Sequence, residues 1–251
     1  MSGRGNPFVV EGMRLYFSER RILRSYLFAA GALGLVLAAM WPRTTIEASL
    51  RAVAASDTFT VVAVCLLLFL LFLGARYGAE EFTPQGAERL REYVTLTPVS
   101  LFSVVGGRLL FSTLHTAVLL LLGAPFLAAA MAVGGAGFPQ ALHALAVVGT
   151  ASIEARMSGL LALALATRRQ QSRDLLLFPL LAAILVVSWF AVPRANPVHA
   201  MAFLLKDPQG PSACLRCAAA DAGAALVLAA CAVVVLSVVR SRANRRRPDG
   251  G

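Results

Sequence analysis

The chain has 251 residues, of which 58% are hydrophobic and only 14% charged, and its mean hydropathy is +0.73. That balance excludes an ordinary soluble domain and reads as an integral membrane protein. The formal net charge of +10 does not mark a nucleic-acid binder, because the arginines are scattered along the edges of apolar runs and are not gathered with aromatic residues on one polar face.

Residues 7–25, PFVVEGMRLYFSERRILRS, place Val10, Met13, Tyr16 and Phe17 three and four apart, with Glu11, Arg14 and Glu19 off that stripe. The pattern predicts an amphipathic helix in the inner headgroup layer, the alternative being a plain extension of the first span. Apolar runs of about 20 residues, the length that crosses a ~30 Å hydrocarbon core, follow at Leu23–Trp41, Thr58–Ala75, Leu109–Val133, Phe138–Thr167, Leu175–Ala191 and Cys217–Val239. The first is read as a retained span and not as a signal peptide. Its leader carries Glu11 and Glu19, and the run ends in Trp41-Pro42 without a small-x-small cleavage site.

Arg and Lys favour the cytoplasmic side of a membrane. Arg4, Arg14, Arg20, Arg21 and Arg24 lie in the N-terminal segment. Arg76, Arg89, Arg91 and Arg108 occupy the second loop, Arg168, Arg169 and Arg173 the fourth, and Arg240, Arg242, Arg245, Arg246 and Arg247 the tail. The other loops together hold Arg43, Arg51, Arg194, Lys206 and Arg216. Both termini are therefore expected in the cytoplasm, with the basic edges against anionic lipid headgroups.

The second loop, 76–108, is longer than a connection needs. Thr83-Pro84 can start a helix that continues from Gln85 to Leu96 and stops at Pro98. Ala87, Leu90 and Val94 fall on one side of it, and Glu88, Arg89, Arg91 and Glu92 occupy the rest. Charges of both signs on an amphipathic helix suit a protein partner better than lipid phosphates, so Glu88, Arg89, Arg91, Glu92 and Tyr93 are read as a docking surface. A merely solvated helix is the plainer alternative. Farther on, Gly134 to Pro139 form a tight turn that makes spans three and four an antiparallel hairpin. The fifth loop, Pro193 to Ala213, contains NPVHAMAFLL, an apolar stretch too short to span that could re-enter the outer leaflet if protein shields its backbone.

Ionisable residues inside spans are costly and mark function or bracing. Glu154 and Arg156 lie near the middle of span four, two residues apart and so on different sides of the helix; each is expected to find a partner elsewhere, to line a path or to brace helices. His115 in span three joins them, whereas Asp221 is placed near enough to the outer end of span six to snorkel. Ala151, Ala155 and Gly159 form a ridge of small residues that lets helices approach closely in lipid. Cys65 and Cys231 are expected to be buried as small hydrophobes, and Cys214 and Cys217 to form a local disulfide or to have no role. There is no P-loop and no clustered metal-ligand or nucleophile motif, so no catalytic, cofactor or metal site is expected on this chain.

Asn6-Pro7-Phe8 with Glu11, the run Glu88 to Ser100 (ERLREYVTLTPVS), Gly107 to Leu110 (GRLL) and Asn196 to Ala200 (NPVHA) together resemble the permease subunits of type 2 ABC exporters. A weaker similarity, to the haem exporter B branch, rests on the T-P-x-S-like run and on RRQQSRDLLLFPL, Arg168 to Leu180. The resemblance covers essentially the whole chain. It implies an all-α integral membrane fold: a cytoplasmic N-terminus and elbow helix over 1–25, a six-span domain over 26–240 with a coupling helix at 84–97 between spans two and three, an outer re-entrant segment between spans five and six, and a basic tail over 241–251. It further implies a dimer of permeases, or of related permeases, in a bacterial inner membrane. A separate ATPase subunit would carry ATP and Mg and drive export. Two other readings are kept beside it. One is an ABC-associated membrane scaffold without a transported substrate; the other is an intramembrane enzyme using Glu154 and His115, should they meet in one pocket.

Overall fold

The computed structural model describes residues 20–41, 55–79, 86–134, 136–166, 177–205 and 210–245, and every regular element among them is helical. In chain order these are α1 (Arg20–Met40), α2 (Ala55–Gly78), α3 (Gly86–Leu96), α4 (Leu101–Gly134), α5 (Phe138–Leu165), α6 (Leu177–Ala191), a 3-10 turn (Pro193–Ala195), α7 (Pro197–Phe203) and α8 (Gly210–Arg245). Five of them, α1, α2, α4, α5 and α8, are long and apolar enough to cross a membrane.

The fifth expected span is described only in part. Its described part, α6, is shorter than 18 residues, contains a π-helical turn at Ala183–Val187 and ends at Val192-Pro193, where proline's missing N–H prevents the helix from continuing. α4 and α8 extend beyond the apolar runs that announced them, because the flanking residues, Leu101 to Arg108 and Arg240 to Arg245, contain no proline to break a helix. The expected elbow helix lies outside the described residues up to 19; from Arg20 the chain is continuous with α1.

α2 and α5 form the centre, and α1 is peripheral, with only 6% of its apolar window buried. The α2–α5 crossing is exceptionally close. A Cβ added to Gly78 would lie 2.0 Å from the Arg156 carbonyl oxygen, and one added to Gly159 would lie 2.2 Å from that of Ala75. Of the anticipated small-residue ridge Gly159 lies at the crossing, where Gly74 and Gly78 of α2 meet the backbone of Ser152 and Arg156; Ala151 and Ala155 are buried. Ser152 adds a bond across the contact, its Oγ donating to the Leu70 carbonyl at 3.3 Å.

α8 packs along the other side of α5 through a stripe at spacings of three and four: Cys214, Cys217, Ala218, Asp221, Ala225, Ala229, Ala232 and Leu236 are all buried. The segment between α6 and α8 folds back onto the helices. Asn196 is fully buried. Its Oδ1 accepts from the His199 N–H at 2.9 Å and caps α7, while its Nδ2 donates to the Leu185 carbonyl at 2.8 Å and to Ser188 Oγ at 2.7 Å. Pro197, Ala200 and Met201 then bury one side of α7 against α2, α5 and α8.

Candidate functional site: two polar clusters on α5 and a tethered amphipathic helix

Arg156 and Glu154 leave α5 in different directions and each meets a partner on another helix. Arg156 is 1% exposed, and one of its Nη groups donates to His115 Nδ1 on α4. Because a guanidinium has no acceptor, His115 must receive at Nδ1 and carry its proton on Nε2. Nε2–H then donates to the hydroxyl of Tyr26 on α1. Tyr77, at the end of α2, lies with its ring centroid 5.4 Å from the Arg156 guanidinium carbon and shares a 2.7 Å hydroxyl–hydroxyl bond with Ser25. Phe111 stacks on the His115 ring at 5.6 Å, and Tyr77 meets it edge-on at 5.3 Å. The cluster therefore joins four helices by polar contacts inside an otherwise apolar packing.

Glu154 faces α8. Its carboxyl is a close neighbour of the Asp221 carboxyl. Asp221 also accepts from Thr150 Oγ1 at 3.5 Å and is touched by the Cys217 thiol at 3.8 Å. Asp221 does not snorkel: it is 4% exposed, because the stripe that carries it is the packing face of α8.

His115 and Glu154, the pair named for an intramembrane enzyme, thus sit in separate clusters. The cysteines also depart from expectation. Cys231 is exposed and Cys65 half-buried, since both lie off the packed faces of their helices. Cys214 and Cys217 are free thiols, directed at the carbonyls of Ala200 at 3.5 Å and Ala195 at 3.4 Å. Three residues apart, they both hold α7 and the turn before it against α8, and neither is spent on a bridge.

α3 stands between α2 and α4, where a helix over 84–97 is expected, and its described part ends at Leu96. Leu90 and Val94 are buried, in one apolar cluster with Val104, Val105, Leu160, Leu163 and Leu236. Tyr93 is half-buried against the same cluster. Glu92 and Leu96 are exposed. Glu88, Arg89 and Arg91 belong to the helix, and their side chains are outside the described set. The apolar side of α3 is therefore covered by the chain itself, leaving a side with Glu92 and Leu96 open.

Sequence reasoning missed Tyr26 and Tyr77, which look like ordinary interfacial aromatics, and Arg240, which it counted only as a topology charge. Nothing local marks Arg240 among five tail arginines. No protein-family model, curated protein or solved structure matches the chain.

Proposed function

We propose that this chain is the membrane permease subunit of an ATP-driven ABC exporter, which couples ATP hydrolysis on a separate subunit to movement of a substrate across the bacterial inner membrane. The observation that carries this reading is the seating of α3. A short amphipathic helix between two long apolar ones is fixed on its apolar side by Leu90 and Val94 and leaves Glu92 and Leu96 exposed. A helix gripped by its own long helices can pass on a push; a helix on a slack loop cannot. In this reading α3 is the cytoplasmic coupling helix, Glu88, Arg89, Arg91, Glu92 and Tyr93 meet the ATPase, and the chain works beside a second permease copy or paralogue. The polar clusters of Arg156–His115 and Glu154–Asp221 line or brace the path.

The test is purification of the tagged chain from its native membrane in mild detergent, with identification of the co-purifying chains. A stoichiometric P-loop ATPase, lost on combining Arg89→Glu with Arg91→Glu while the permease stays folded, is the expected result. Recovery of the intact permease without such a partner, or with binding indifferent to the charge reversal, would overturn it.

A further inference from the structure

Near its end α8 reaches across to α3. Arg240 Nε donates to the Val94 carbonyl at 2.8 Å, and Arg240 Nη2 donates to those of Thr97 and Val99, each at 2.8 Å. The acceptors belong to the last turn of α3 and to the link into α4, where a helix end leaves carbonyls without intrahelical donors. A cation is favoured at that end by the helix dipole. A planar guanidinium with five N–H groups can serve several carbonyls at once, whereas a lysine ammonium is a single point of charge on a flexible stem. One turn earlier on the same side of α8, Leu236 is fully buried in the cluster that holds Leu90 and Val94.

We infer that Arg240 is a positioning residue that latches α3 to α8, so that a displacement of α3 reaches α8 directly as well as through its covalent neighbours α2 and α4. The inference rests on the proposed role of α3 as the ATPase-docking helix. The stripe of α8 that ends in Leu236 and Arg240 also carries Asp221, about 28 Å further along at a rise of ~1.5 Å per residue, where it faces Glu154. The latch thus joins the ATPase side to the carboxyl pair by one uninterrupted helix.

The test uses the full chain in lipid nanodiscs, with its native cysteines replaced and spin labels at Glu92→Cys on α3 and Asn244→Cys on α8. A control pair is placed at Leu68→Cys on α2 and Leu142→Cys on α5. With Arg240 present the α3–α8 distances should form a narrow distribution. Arg240→Gln should shift it longer and broaden it, Arg240→Lys should fall between, and the control pair should not change. An α3–α8 distribution in Arg240→Gln that matches the parent would overturn the latch; should Gln disturb the control pair too, an unchanged distribution in Arg240→Lys decides against it in the same way. These distances need no ATPase, so they stand apart from the exporter reading. With the P-loop ATPase bound, Arg240→Gln should keep the partner and lose the nucleotide-dependent movement of a label on α8. Movement equal to the parent's would show that α8 is driven without Arg240.

Discussion

Arg156 donates to His115 from the next helix but leaves that imidazole neutral, with its remaining proton committed to Tyr26. The polarity of this chain of bonds is set at one end by a group that cannot accept. Nitrogen NMR of labelled His115 in a bilayer should accordingly report a protonated Nε2 and an unprotonated Nδ1. An Nδ1–H tautomer would contradict the assignment. Arg156→Gln and His115→Phe should also be strongly non-additive, with a coupling of about 0.5–3 kcal/mol in a double-mutant cycle of detergent unfolding, since each removes the same contact.

Where α2 crosses α5 there is room for hydrogen atoms only. Gly159→Ala and Gly78→Ala each put a methyl group onto a backbone carbonyl, which has no rotamer by which to yield. Each should cost roughly 1–3 kcal/mol or more, visible as earlier unfolding in a denaturant titration. Gly31→Ala, where an added Cβ meets nothing within 4 Å, should be neutral. Equal stability of all three variants would refute the close crossing.

Asp221→Asn keeps a hydrogen-bonding group opposite Glu154 and should stay within about 1 kcal/mol of the parent, while Asp221→Leu leaves Glu154 buried without it and should cost about 1–3 kcal/mol. Unfolding measurements separate the two. If export by the reconstituted complex is lost in the stable Asp221→Asn variant, the pair belongs to the path; if export follows stability alone, it is a brace.

Asn196→Ala removes the cap of α7 and the bonds to Leu185 and Ser188 in one step. A loss of about 1–3 kcal/mol is expected, together with faster protease cutting around 193–205. Cutting as slow as in the parent would mean that the turn is held by apolar packing alone.

Much of the helical plan was legible, because run length and periodicity are local. Leu109–Val133 and Phe138–Thr167 foretold α4 and α5, and Gly159 lay where α5 is approached. The partners were not legible. Whether Asp221 reaches water or Glu154 depends on which side of α8 packs, and Arg240 among its neighbours is distinguished only by carbonyls more than 140 positions earlier in the chain. Glu154 and Arg156 announced themselves by cost; the groups that meet that cost lie on other helices. An apolar run such as Leu175–Ala191 says nothing of the π-helical turn within it.

The bare backbone contact at Gly78 and Gly159 has a mechanical side. Interlocked side chains would oppose both sliding and turning, but a contact between two smooth backbones opposes separation and leaves the crossing angle comparatively soft. α2 and α5 are therefore joined as scissor blades are, at a rivet near the α3 end: a small turn about that point barely disturbs the Arg156 neighbourhood beside it, and is magnified into its largest displacement at the far tips of both helices.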